Sequence, residues 1–243
     1  MTLKIILSPS KLQTEKTIFE CQRPPLAPQK TTYLMEQLKA MSYQSLKSFY
    51  NVKDKIGKQV YDQLHAEAVR QCDTFGMYSG VVFKEINAES YDGRQRDYLL
   101  EHGVVLSALY GILEADMAVR GYRLDMTKKI SDINLYDYWQ DEVDQYFSGV
   151  DLVVNLASKE FSRMLKHYRG HMLNIHFTEE QSDGKYKVVT VRAKQARGLM
   201  FDYLVTNCIT ALDDIKRFDE AGYSYNAALS DEDNYYFIKS YGL

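Results

Sequence analysis

Lys194 and Arg197 stand three residues apart in the run Ala193-Lys194-Gln195-Ala196-Arg197-Gly198-Leu199-Met200. Two fixed positive charges lie beside a glycine, which lets another group approach the backbone closely. The run falls where a strand pattern hands over to a helix pattern. The first turn of a helix offers unpaired N–H groups and the positive end of its dipole, so the chemistry suggested is anion binding. The same spacing equally describes solvated residues at a helix start.

Two other strand ends deliver polar groups in a similar way. Leu3–Leu7 is a short apolar run leading into Ser8-Pro9-Ser10-Lys11. The apolar run at 150–156 ends in Asn155, Ser158, Lys159 and Glu160. Ligands of α/β sheets gather where strand ends meet helix starts. If these ends share one edge of the sheet, Lys11, Lys194 and Arg197 line a cationic pocket. Lysine near a carboxylate can do acid–base or nucleophilic work, and arginine can clamp phosphate or carboxylate. An enzyme or small-anion binder would then use Lys11, Asn155, Glu160, Lys194 and Arg197, with Ser8, Ser158 and Arg123 as further anion-binding candidates. Arg123 and Asp125 read most simply as a surface ion pair, which contributes little.

Other chemistries find no motif. There is no P-loop, no G-x-G-x-x-G and no G-x-S-x-G. His167, His171 and His176 are the only histidines with faintly metal-like spacing, but Gly170 interrupts the first two and the third falls in a strand pattern. Cys21, Cys72 and Cys208 are isolated and odd in number, which suits a reducing cytoplasm. Neither a metal nor a cofactor is expected. No apolar run is long enough for a membrane helix, and the N-terminal run is too short for a signal peptide.

The elements that must position these residues alternate between strand and helix. An extended loop covers 12–30, and a helical pattern starts at Thr32, with Leu34, Leu38 and Met41 on one face. Ser42 can cap a helix through Tyr50. Asn51 can cap another, with Asp54 at N3 and Ile56, Val60 and Leu64 as its apolar stripe. Strands are predicted at 77–83 and 104–107 around a polar helix at 94–101. An amphipathic helix is predicted at 136–147, where Tyr136 and Trp139 share a face, and a strand at 150–156 precedes a basic helix at 159–168 capped by Ser158. Residues 173–177 and 185–192 read as a hairpin turned by Ser182-Asp183-Gly184, followed by a helix to about 211 and a late strand at 235–238. With no repeat or linker, the fold class is mixed α/β (α+β): one compact domain over 1–243, a mixed central sheet with surrounding helices.

Net charge is −3, but it is polarised. Residues 1–60 hold ten Lys/Arg against four Asp/Glu, a net of +6, and the remaining 183 hold 20 against 29, a net of −9. The basic segment contains the two helices at about 42–65, a helix–hairpin unit. Its lysines Lys47, Lys53, Lys55 and Lys58 could meet phosphates, and a solvated basic face fits the count as well.

Six blocks carry a resemblance. They are Leu7 to Lys11, Leu106-Ser107-Ala108-Leu109-Tyr110-Gly111, Tyr122-Arg123-Leu124, Leu135-Tyr136-Asp137-Tyr138-Trp139, Val154 to Glu160, and the run at 193–200. In this order, from residue 3 to about 238, they resemble the YaaA family, which contains bacterial peroxide stress proteins. The resemblance implies a cytoplasmic protein with a compact fold of its own type, a positively charged cleft and a helix–hairpin–helix element. It also implies double-stranded DNA as partner, bound by its phosphates without sequence readout, and a role in limiting damage from peroxide and unincorporated iron. It carries over no catalytic reaction. The turn here, Tyr50-Asn51-Val52-Lys53, departs from the glycine-bearing turn of such hairpins and leaves phosphate contact to the four lysines.

Overall fold

The computed structural model describes residues 2–20, 23–67 and 69–240; Cys21 lies outside them. A mixed central sheet is flanked by helices. In spatial order its main path is Asp219–Glu220, Tyr223–Tyr225, Asn234–Lys239, His171–Glu180, Leu152–Asn155, Leu3–Leu7, Gly103–Ser107 and Gly111–Glu114. The five neighbours from Asn234–Lys239 to Gly103–Ser107 run parallel, and antiparallel strands close both edges.

Parallel strands covered on both faces read as continuous apolar runs. Ile5, Ile6 and Leu7, Val104 to Leu106, and Val153 with Val154 are fully buried accordingly. Lys4 interrupts the first run and is satisfied by donating to the Glu101 carbonyl at 2.6 Å, with Glu114 at 3.8 Å. Gly93–His102 is started by a capping box, Asp92 accepting from the Gln95 N–H while the Gln95 side chain accepts from the Asp92 N–H. It packs on the long helix Thr190–Thr206 and on the central strands.

The parallel order has a direct consequence for function. Leu3–Leu7, Gly103–Ser107 and Leu152–Asn155 all point the same way, so Ser8, Ser107 and Asn155 reach the same edge of the sheet.

Several local expectations need correction. Residues 77–83 form no strand. Thr74–Met77 is a helical turn capped by Asp73, whose Oδ1 accepts from the Gly76 N–H at 2.8 Å, and Tyr78 makes only an isolated bridge to Gln13. The strand expected at 185–192 stops after Tyr186–Lys187, and the helix starts at Thr190. The run at 193–200 therefore lies inside the helix, past the unpaired N–H groups of its first turn. Asn51 does not cap the third helix. It ends the second in a left-handed conformation (φ 50°), and Lys53 precedes Asp54–His65. Asn can adopt that conformation at low cost, which suits it to a helix end. The helix expected at 136–147 divides at Trp139 into Leu135–Tyr138 and Gln140–Phe147. Lys159–Ser162 is one α turn continued as a 3₁₀ turn, Arg163–Leu165.

Candidate functional site

At the shared edge of the parallel strands lies a cavity of about 490 Å³. Leu3–Leu7 supplies Ser8, Ser10 and Lys11 from its C-terminal end. Leu152–Asn155 supplies Leu156, Ser158, Glu160 and Phe161. The segment after Val119 supplies Tyr122, Arg123 and Asp125, and the long helix supplies Lys194 and Arg197. The lining thus holds four cations (Lys11, Arg123, Lys194, Arg197) and two carboxylates (Asp125, Glu160).

Close packing at two glycines draws these walls together. A Cβ built on Gly198 would lie 2.2 Å from the Val82 carbonyl oxygen, and one on Gly80 would lie 2.1 Å from Ser10 Oγ. Only glycine permits these approaches. The loop bearing Gly80 to Phe83 is thereby clamped between the long helix and the end of the first strand.

The cations differ in how they are balanced. Lys11 Nζ sits 2.9 Å from the Asp125 carboxylate, so Asp125 pairs with Lys11 and not with Arg123. Lys194 is exposed at the helix surface. Arg197 is half-buried, its Nε is shielded from solvent, and that atom has no hydrogen-bond partner among the described residues. Burial alone pulls its guanidinium below its ordinary pKa. Arg123 Nε is likewise buried without a partner, while its guanidinium carbon stands 6.0 Å from the Tyr50 ring centre. A buried donor left unmatched costs free energy.

The remaining polar groups fix the frame. Ser8 Oγ accepts from the Ser158 N–H at 2.8 Å and donates to Ser158 Oγ at 3.1 Å, which is why Ser158 makes no capping bond to its own helix. Glu160 Oε1 accepts from the Met126 N–H at 3.0 Å, tying the Arg123 loop to the strand end. Asn155 does not line the cavity. Its side chain donates to Asn174 Oδ1 at 2.8 Å and accepts from the Ala157 N–H at 3.0 Å, shaping the turn after its strand.

Sequence reasoning missed a buried hydroxyl chain behind the cavity. Ser107 Oγ accepts from the N–H groups of Leu109 and Tyr110, at 3.2 and 3.0 Å, and lies 2.7 Å from the Tyr122 hydroxyl. Tyr122 in turn lies 2.9 Å from the Tyr78 hydroxyl. Burial pushes the Tyr122 phenol up to about 12 and also raises Tyr78 well above its ordinary value. Gln13, absent from the sequence-based candidates, accepts the Tyr122 N–H at 2.9 Å through Oε1. The only signal for the chain was Ser107 at a strand end, within a run otherwise apolar.

The basic helices Tyr43–Tyr50 and Asp54–His65 adjoin this site through the segment 120–128. The Tyr50 hydroxyl donates to the Arg123 carbonyl, Lys128 donates to the Phe49 carbonyl at 2.5 Å, and Arg120 donates to the Gln63 carbonyl at 3.0 Å. Lys53, Lys55 and Lys58 are exposed. Lys47 is paired with Asp54, which reduces the charge it can offer. No helix among the described residues is long and apolar enough to cross a membrane.

A family model described as peroxide stress protein YaaA matches residues 3–229. A UPF0246 protein of Fusobacterium nucleatum subsp. nucleatum is 35% identical over 246 residues, covering 98% of this chain and 99% of that relative. UPF0246 proteins of Ligilactobacillus salivarius and Agathobacter rectalis are each 33% identical over 249 residues. They cover 98% and 97% of this chain, and 100% and 98% of their own lengths.

Proposed function

Because the chain belongs to the YaaA family of peroxide stress proteins, we propose that it works in the cytoplasm by binding double-stranded DNA through the phosphate backbone, helping to limit iron-dependent oxidative damage. The observation that carries this reading is Arg197, a guanidinium half-buried in a cavity of excess positive charge with its Nε unmatched. A phosphate supplies acceptor oxygens and the opposite charge, and arginine is suited to grip it. Lys194 at the same wall adds a second cation, and Arg123 a third.

Lys53, Lys55 and Lys58 extend the positive surface on the adjoining helix pair. Such contacts neutralise phosphates without reading bases, so they give affinity without sequence preference. The Tyr50–Arg123 contact supports a single continuous track from the helix pair to the cavity.

A second reading is favoured by the placement of the cavity at the C-terminal ends of parallel strands, where α/β proteins hold small ligands and active sites. There the site would serve a small phosphorylated molecule or an enzymatic reaction, using Lys11, Glu160, Lys194 and Arg197. Replacing Lys194 and Arg197 together by alanine separates the two. At least a tenfold loss of duplex affinity is expected. Unchanged duplex affinity with lost peroxide protection in cells assigns the cavity to a small ligand instead.

A further inference from the structure

We infer that the cavity receives a whole nucleotide unit, base as well as phosphate, and is more than a socket for a phosphate group. The inference rests on the reading of the cavity as an anion site and names the ligand class.

Three chemistries meet in the lining, and a bare phosphate uses only one of them. The cationic side, Arg197 with Lys194, suits the phosphate. Leu12, Val81 and the partly exposed Val82 form an apolar wall, backed by the buried Phe83, Leu156 and Phe161, with the Phe83 ring braced 5.0 Å from Tyr78 and 6.0 Å from Phe75. Apolar surface held open to water is costly, and a flat ring system would cover it. The third element is Glu160. Its Oε1 is taken by the Met126 N–H, whereas its Oε2 makes no hydrogen bond among the described residues. A carboxylate repels a phosphate but accepts from an amino, imino or hydroxyl group. A sugar phosphate would leave the apolar wall wet, and an acyl phosphate would leave the carboxylate without a donor. A nucleoside monophosphate satisfies all three.

Size and access agree. The volume of about 490 Å³ falls within the roughly 300–1,000 Å³ of small-molecule sites. Two aliphatic side chains of the lining are exposed to solvent, Leu12 at 63% and Val81 at 37%. Exposed aliphatic residues beside a nucleotide-sized cavity can cover a base as it enters. Inserted at a base step, they can also replace the stacking a base loses when it leaves a duplex. The same unit can come from the free nucleotide pool or from a strand.

The test is calorimetric titration of the full chain with inorganic phosphate, deoxyribose 5-phosphate and the four deoxynucleoside 5′-monophosphates. At least one nucleotide should bind tenfold or more tightly than deoxyribose 5-phosphate. Val81→Trp, at an exposed position and checked for folding by circular dichroism, should reduce nucleotide binding at least tenfold and inorganic phosphate binding by less than threefold. A duplex carrying a single 2-aminopurine distinguishes the sources. A rise in its fluorescence on binding assigns the strand; no rise, with free nucleotide still bound, assigns the soluble pool. If phosphate and duplex bind but no nucleotide outcompetes deoxyribose 5-phosphate, the inference is overturned while the anion site stands. If neither phosphate nor duplex binds, the proposed function itself fails.

Discussion

Gly198 and the Val82 carbonyl are so close that a methyl group on Gly198 would lie 2.2 Å from that oxygen. The glycine beside Arg197 is therefore a packing requirement for the cavity wall, and Arg197 is set by that packing. Gly198→Ala should force the 80–83 loop off the helix, costing about 1–3 kcal/mol, seen in urea as a lower midpoint at unchanged slope. Gly93→Ala is the control, because an added Cβ there meets nothing within 4 Å. It should be neutral or slightly stabilising. Equal losses at the two positions would contradict the packing account.

Arg197 should behave as a group kept for binding at some expense to stability. Arg197→Met keeps the length of the side chain and removes a charge that burial already disfavours. Thermal denaturation should show stability unchanged or raised by about 1 kcal/mol, while phosphate affinity falls at least tenfold. Marked destabilisation would instead identify Arg197 as a structural group.

Asp125 opposes the proposed ligand. Its pair with Lys11 is made at 2.9 Å by a lysine more than half exposed, so its net worth is below about 1 kcal/mol. Asp125→Asn should leave the urea midpoint nearly unchanged. It should also raise affinity for inorganic phosphate severalfold by freeing Lys11 and removing a negative charge. Weaker phosphate binding in this variant would place Asp125 among the groups that assist the ligand.

The parallel core was legible because Leu3–Leu7, Val104 to Leu106 and Val153 with Val154 are unbroken apolar stretches bounded by polar turns. Their common direction was not, since no local pattern encodes parallel order, and that order is what assembles the cavity. The start of the long helix was masked by Val188, Val189, Thr190 and Val191, β-branched residues that favour strands. The winning interaction is long-range: Arg192, on the first turns of the helix, grips the buried Glu179 carboxylate, which also accepts the Tyr223 hydroxyl at 3.0 Å. Lys11 with Asp125 and Tyr122 with Ser107 were invisible for the same reason, the first pair being 114 residues apart in sequence.

The buried phenols predict the alkaline limit of the fold. Burial raises Tyr122 to about 12, and Tyr78 and Tyr110 are raised as well, against an unfolded value near 10. A raised folded pKa gives stability that is full below pH about 10 and lost as pH climbs toward the folded value. Each such tyrosine removes about 1.4 kcal/mol per pH unit in that window. Tyrosinate absorbance should rise cooperatively with loss of near-ultraviolet circular dichroism above pH 10. Tyr122→Phe should remove part of this slope. Independent titration of all the tyrosines near pH 10 in a folded protein would contradict the buried chain.

The central claim is that this surface grips DNA by its phosphates, and a duplex titration across several salt concentrations tests it most directly. Affinity should fall steeply and linearly on logarithmic axes, with a slope of about −0.9 per phosphate neutralised. Replacing Lys53, Lys55 and Lys58 by alanine should flatten that slope with no change in sequence preference. Salt-independent binding, or no binding at low salt, would contradict the account.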